Sequence, residues 1–317
     1  MKILTVDDDL FILELLQMMV SRAGFTDIST ATSGEIALEM MNKSDEVFDC
    51  LLLDISMPGM TGIELCGLAR AIPAYSKTPI IMLTAMTDKD NIDRAFIAGA
   101  TDYATKPFDI VELDARLGAA EAMVGRKKTD QTQSDLTLKK PAVLSAEVQI
   151  EGIESLIGYD VFRNYLAQLS RAGLAGSQVI AVKINHIETI YAKASADEFL
   201  YALTEVADAI NDSIKTNSYM MAYAGNGTFL VVSNKASMEA SVEMEAEIQS
   251  FLDDRDTEYD NSDPSDIEVT IGNPLRPSFN KSQHSRNTFA RAIARAEMRA
   301  LRKQNEPRLP NIFLVKK

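Results

Sequence analysis

The chain has 317 residues, enough for two domains with separate cores, because a single core seldom grows beyond about 250 residues. Its 46% apolar and 25% charged residues are those of a globular protein, and no apolar run approaches the ~18 residues that cross a bilayer. The formal net charge is -14, and residues 1–124 hold 9 basic against 20 acidic side chains, which argues against direct nucleic-acid binding by the first half. MKILTV could open a signal peptide, but Asp7, Asp8 and Asp9 follow where an apolar stretch would be required, so a cytoplasmic location is expected. Cys50 and Cys66 lie in apolar stretches without CxxC or His partners at metal spacing, and buried free thiols are expected.

In chain order, Ile3 to Val6, Cys50 to Leu53 and Ile80 to Leu83 are strand-length apolar runs without polar alternation, the pattern of parallel strands covered on both faces. Between them Phe11, Ile12, Leu15, Leu16 and Met19 form one helical stripe, and Ile36, Ala37, Met40 and Met41 another, opened by Ser33 as N-cap. A third helix follows Gly62. Thr87 and Asp90 form a variant capping box for a fourth helix that stops at Gly99, and a fifth begins near Asp109. Alternation of this kind predicts an α/β domain over residues 1–124, a doubly wound (βα)5 parallel sheet with helices on both faces. Ligands of such folds sit beyond the carboxyl ends of the strands.

Residues 125–148 are polar and basic at their start, a predicted linker that can continue the fifth helix. The pattern resumes in a second domain, 149–317, with Val179 to Ile184 as a strand and Phe199, Leu203, Val206, Ala207, Ile210 and Ile214 as a helix stripe. Met220 to Ala224 and Thr228 to Ser233 flank Gly225-Asn226-Gly227, and Asn-Gly is the strongest short hairpin signal. Met244, Ile248, Phe251 and Leu252 mark another helix, 253–266 an acidic loop, Ile267 to Ile271 a strand and Phe289 to Leu301 a closing helix. The second domain is therefore α/β with an internal hairpin.

Asp7 and Asp8 follow the first strand, Asp54 the third and Thr84 the fourth, while Lys106 precedes Pro107 at the end of a fifth; all five fall on one edge of the predicted sheet. Taken singly they carry little: Asp7 to Asp9 could cap a helix, Asp54 could begin a turn with Pro58-Gly59, and Lys106 could be a surface charge. Their joint placement matters. Clustered carboxylates raise one another's pKa unless a cation neutralises them, and Mg2+ suits a few carboxylates plus water and phosphate oxygens. One carboxylate can then act as nucleophile toward a phosphoryl donor, with Lys106 and Thr84 stabilising the phosphoryl oxygens.

The segments TVDDD, LLLDISMPGMTG, LTA and GATDYATKPF resemble the signature of bacterial response-regulator receiver domains, over residues 1 to about 122. The resemblance implies that Asp54 is the phosphoacceptor, that Asp8 and the backbone carbonyl of Ser56 ligate Mg2+ directly, and that Asp7 does so chiefly through water. It implies Thr84 as switch hydroxyl, Lys106 as phosphoryl partner, Tyr103 as the aromatic that repacks with Thr84, and a cis Lys106-Pro107 bond. The donor would be a histidine kinase or histidine phosphotransfer protein. The added charge would shift an equilibrium at the face of the fourth helix and fifth strand. Receivers often pair through that face, so a homodimer is among the expected assemblies.

Residues 150 to about 306 resemble the GGDEF domain of diguanylate cyclases, a nucleotide-cyclase fold, in the order LIGYDVF, VIAVKINHI, long helix, YAGNGTFLVV, IEVTIG and a helix ending ARAEMRALRKQN. The signature, however, reads Gly225-Asn226-Gly227-Thr228-Phe229, with the family's acidic pair falling on Gly227 and Thr228. The other metal aspartate falls on Lys183 and the next acidic place on Asn185. Guanine-reading positions fall on Tyr191 and Leu200, and the product-inhibition motif on Thr216 and Tyr219. Two-metal phosphoryl chemistry needs carboxylates, so the resemblance implies a catalytically dead output domain acting through protein interaction. A residual cyclase making cyclic di-GMP, or a sensor of GTP or cyclic di-GMP, are the alternatives. Arg291, Arg295, Arg299 and Arg302 form a basic stripe best read as a solvated face, and His186 and His284 have no ligand-spaced partners.

Overall fold

A computed structural model describes residues 1–43, 47–85, 89–130, 141, 143–146, 148, 150, 152–153, 155–171, 177–214, 219–233, 241–255, 267–277 and 284–305. The chain divides into two compact units, one of Met1–Thr137 with Asp160–Leu174, the other of Leu138–Tyr159 with Ala175–Lys317.

In the first unit β1 (Ile3–Val6), β2 (Ile28–Ala31), β3 (Cys50–Asp54), β4 (Ile80–Thr84) and β5 (Asp102–Thr105) form a parallel sheet of order β2-β1-β3-β4-β5. Helices α1 (Leu10–Arg22), α2 (Gly34–Lys43), α3 (Gly62–Ala71), α4 (Lys89–Ile97) and α5 (Ile110–Asp130) connect or follow the strands. Period-2 geometry sends alternate strand residues to opposite faces. Ile3, Cys50, Leu52, Ile81 and Leu83 pack with Leu16, Met19 and Val20 of α1 and Leu113, Leu117 and Ala120 of α5. Leu4, Val6, Leu51, Leu53, Ile80 and Met82, equally buried, serve the other face. The expected doubly wound sheet is present, and β2, a half-polar edge strand reading ISTA, completes it.

Helix ends follow local chemistry. Asp9 caps α1 by accepting the Phe11 N–H at 2.8 Å, and Ser33 Oγ receives the Ile36 N–H at 3.3 Å. Each such cap contributes about 1 kcal/mol. Thr61 and Glu64 form a reciprocal capping box at α3. Gly99 ends α4 at φ 104°, where a side chain would be strained. Thr87, expected to cap α4, lies outside the described residues. Helix α6 (Tyr159–Arg171), read from sequence as the start of the second domain, groups from Asp160 onward with the first unit.

The second unit is an antiparallel sheet of order β7-β8-β6-β9, from β6 (Gln178–Ile184), β7 (Tyr219–Tyr223), β8 (Thr228–Ser233) and β9 (Val269–Ile271). Phe199, Leu203, Val206, Ile210 and Ile214 of α8 (Ala196–Ile214), with Ile248 and Leu252 of α9 (Ser241–Asp253), cover one face. Phe289, Ala292, Ala296 and Ala300 are the buried side chains of α10 (His284–Asn305). A side chain at Gly272 would meet the Ala296 backbone nitrogen at 2.8 Å, so that helix lies directly on β9. A short helix, α7 (Ile187–Lys193), links β6 to α8. Across the β7–β8 turn Thr228 N–H donates to Gly225 O at 3.0 Å, and Asn226 and Gly227 have φ of 50° and 64°. The expected Asn-Gly turn therefore forms, with the two positive φ angles its primed geometry requires. Among the described residues no helix is long and apolar enough to cross a membrane.

Candidate functional site at the carboxyl edge of the parallel sheet

Chain order reverses between β1 and β3: β2 lies to one side of β1, and the chain then crosses to β3 on the other. The crevice beyond such a switch point is where this kind of sheet holds ligands. Asp7 and Asp8 leave β1 there and Asp54 ends β3. One carboxylate oxygen from each lies within 4.8 Å of the others, the one such cluster of acidic or metal-ligating side chains among the described residues. Asp7 and Asp54 are buried and Asp8 is exposed.

Lys106, from the loop after β5, reaches into the cluster. Its Nζ donates to Asp7 Oδ2 at 2.7 Å and to Asp54 Oδ1 at 2.6 Å. Backbone donors complete the carboxylates: Asp9 N–H to Asp7 Oδ1 at 3.0 Å, and Ser56 N–H to Asp54 Oδ2 at 2.8 Å. Burial chiefly, with the Asp54 charge adding to it, holds the Asp7 carboxyl above its ordinary value, although Lys106 and the Asp9 N–H pull the other way. For Lys106 burial alone would lower the pKa; the hydrogen bonds and charges of Asp54 and Asp7 outweigh it and raise it. Thr84 ends β4, buried, and its carbonyl receives the Lys106 N–H at 2.8 Å. The Lys106-Pro107 bond is cis, as expected. Tyr103 is buried on β5, edge-on to Phe96 at 6.4 Å, with the Arg116 guanidinium 5.9 Å from its ring centre.

Two residues that sequence reasoning passed over shape the loop carrying Ser56. A side chain at Gly62 would lie 2.0 Å from the Asp54 carbonyl oxygen, so only glycine lets α3 start so close to β3. Glu35 of α2 accepts the Met60 N–H at 2.9 Å across 25 residues of sequence. A glycine in a strand-to-helix turn was the available signal for the first; nothing local marks the second.

Three carboxylates against one ammonium leave the pocket with excess negative charge and only hard oxygen donors facing each other. That donor set fits a small divalent cation such as Mg2+. Asp7, Asp8 and Asp54 would hold it.

Residues 3–118 match the model of the response regulator receiver domain. The chemotaxis protein CheY of Pseudomonas aeruginosa is 39% identical over 108 residues, 34% of this chain and 86% of that one. The transcriptional regulatory protein YvrH of Bacillus subtilis is 39% identical over 117 residues, 37% of this chain and 47% of that one. The crystal structure of the Vibrio cholerae chemotaxis protein CheY4 is 34% identical and covers 38% of this chain and 97% of that one, with a TM-score of 0.35. A parallel five-stranded α/β domain with an acidic pocket at its switch point defines the class, a receiver domain. The chain belongs to the response regulator receiver family through these N-terminal residues. It spans about half the length of the first curated relatives, 47% of each.

The remaining sequence-predicted positions lie in the second unit. Lys183 on β6 pairs with Thr228 of β8 and Thr270 of β9, and its ammonium donates to the Asn226 carbonyl. Burial lowers its pKa, while Glu188 and Glu297 act in the opposite direction. Asn185 is buried and its Oδ1 accepts the Thr270 hydroxyl at 3.0 Å. Phe229 and Thr228 are buried in β8, and a side chain at Gly227 would strike Ile187 at 2.6 Å. The turn is covered by its own chain: Asn226 N–H donates to Leu144 O at 2.9 Å, and Tyr191 Oη donates to the Pro141 carbonyl. Tyr219 is buried and hydrogen-bonds Ser155 and Asn211; Thr216 lies outside the described residues, as does most of the acidic loop. Within the basic stripe, Arg295 donates to the Asn273 and Pro274 carbonyls and Arg299 to that of Ile271. Half the stripe thus ties α10 to the sheet end.

Proposed function

We propose that the chain is a response regulator that accepts a phosphoryl group on Asp54 from a phosphohistidine and signals through a catalytically inactive GGDEF-like domain. The observation that carries the reading is the buried Asp7-Lys106-Asp54 bridge at the mouth of the parallel sheet. A carboxylate oxygen of Asp54 forms the new P–O bond as the P–N bond of the donor breaks, its electron pair returning to the imidazole nitrogen. Lys106, already within 2.6 Å of Asp54, and the Thr84 hydroxyl stabilise the equatorial oxygens of the transferring group. Asp8, Asp54 and the backbone carbonyl of Ser56 would hold Mg2+ directly and Asp7 chiefly through water, and the ion when bound would supply charge neutralisation for the transfer. Histidine kinases or histidine phosphotransfer proteins are the donors, and Tyr103 follows Thr84 as the switch aromatic.

For the output domain, the succession β6-α7-α8-β7-β8-α9-β9 and its antiparallel order support a cyclase-like shape. Its loss of activity is supported by chemistry: where that family holds cations there is an ammonium, Lys183, bonded to the turn, and no room for a side chain at Gly227. Output then runs through contacts with a downstream protein or a second copy in the cytoplasm. Incubation with labelled acetyl phosphate and Mg2+ tests the first half: wild type takes label, and Asp54→Asn takes none. Equal labelling of the variant overturns the assignment. Incubation with GTP and Mg2+ or Mn2+ tests the second, and any dinucleotide product refutes it.

A further inference from the structure

Helix α6 lies beyond the residues that match the receiver family, yet it groups with the receiver unit. Tyr165 is its anchor. The side chain is fully buried, its hydroxyl donates to Asp93 Oδ1 of α4 at 2.7 Å, and its ring stands edge-on to Phe96 at 5.3 Å. One residue earlier, Asn164 Nδ2 donates to the Thr101 carbonyl at 3.2 Å, in the turn between α4 and β5. Phe96 in turn meets Tyr103 edge-on. An unbroken aromatic file, Tyr103-Phe96-Tyr165, therefore runs from the strand beside the phosphoacceptor pocket to a helix that the receiver fold does not require.

We infer that α6 is a built-in latch on the α4–β5 face, docked while Asp54 is unmodified and loosened when Asp54 is phosphorylated. This rests on the phosphoacceptor reading above. The sign follows from the pocket. Both Asp54 oxygens are engaged, by Lys106 and by the Ser56 N–H, so the docked arrangement is that of the unmodified side chain. A phosphoryl group on Oδ1 must displace the ammonium of Lys106, whose backbone N–H donates to the Thr84 carbonyl, and one on Oδ2 must displace the Ser56 N–H. Any accompanying shift of Tyr103 moves the wall against which Phe96 and Tyr165 pack. A buried hydroxyl-carboxylate bond tolerates little misalignment, because the carboxylate cannot recover water in its place. Coupling is reciprocal: if phosphorylation loosens α6, weakening α6 must favour phosphorylation by the same factor at equilibrium.

The test uses the full chain. Hydrogen exchange of peptides covering 159–171 is measured with Mg2+, with and without beryllofluoride as phosphoryl mimic. Exchange is expected to quicken about fivefold or more in wild type and to stay unchanged in Asp54→Asn. Tyr165→Phe removes only the hydroxyl, and Asn164→Ala only the amide to Thr101. Each is expected to raise labelling by acetyl phosphate roughly two- to tenfold. Unchanged or slower α6 exchange in a wild type that does take label, or unchanged labelling in both variants, overturns the latch alone. A wild type that takes no label overturns the phosphoacceptor reading and the latch with it. Two variants on separate contacts keep the outcome decisive should one of them fold poorly.

Discussion

Lys106→Met is the most informative single change in the receiver. It keeps the length and the apolar stem while removing the ammonium that Asp7 and Asp54 share. Their side chains are only 1% and 6% exposed, so neither can replace the lost partner with bulk water. Breaking a buried pair from one side costs about 3–5 kcal/mol. Lys106 is itself 20% exposed, so some water already reaches the site, and ~2–3 kcal/mol is the fitting expectation. In opening equilibria that is roughly 30- to 150-fold.

Amide exchange in β1, β3 and β4 reads this directly, because their buried amides open only with the receiver core. Without Mg2+ these strands should exchange faster in Lys106→Met by that factor. Adding Asp7→Asn should recover a large part of the loss, since it removes one of the two stranded charges. Mg2+ at about a hundred times its dissociation constant should return about 2.7 kcal/mol by mass action. If Lys106→Met changes exchange less than about twofold, or the added Asp7→Asn makes the protein weaker still, the electrostatic account of the pocket is wrong.

Asp7→Asn alone should stabilise the metal-free protein: the folded carboxyl titrates above its ordinary 3.8, so its contribution is full below that value and is lost as pH rises through the folded pKa. The melting-temperature gap between variant and wild type should therefore widen from about pH 4 toward neutrality in EDTA; a gap that narrows contradicts the sign. Gly62→Ala must push α3 off the Asp54 carbonyl, at a cost of ~2 kcal/mol or more in denaturant unfolding, and should impair labelling by acetyl phosphate; near-wild-type stability would mean that the close approach is not obligatory. Burial pushes the Cys50 thiol up to about 12 and the Cys66 thiol up to about 11, so a disulfide reagent near pH 8 should find neither in the native state and both in urea. Rapid native reaction of either would place it outside the core.

The receiver was legible because its strands are continuous apolar runs and its chemistry sits one residue past their ends. Ile80 to Leu83 needs no partner to be seen as a buried strand, and Thr84 is then placed by counting. What stayed hidden depends on distant pairs. Glu35 is 25 residues from Met60, and Tyr165 is 72 from Asp93. β2 was missed because an edge strand with one buried residue, Ala31, shows no apolar run. Helix α6 has a stripe, Phe162, Tyr165 and Leu166, but periodicity tells that a face is buried and not against what.

The two units answer the same electrostatic question in opposite ways. At the parallel sheet, two buried carboxylates share a single ammonium beside a third, exposed carboxylate, and the remaining negative charge suits a divalent cation. At the antiparallel sheet, the strand position beside the β7–β8 turn carries an ammonium of its own, Lys183, bonded to the Asn226 carbonyl, while Asn226 N–H is bonded to Leu144. Lys183→Asp would replace that donor with a carboxylate facing the Asn226 carbonyl, removing the bond. The second site thus holds a cation of its own protein, bonded to the turn, whereas the first gathers carboxylates.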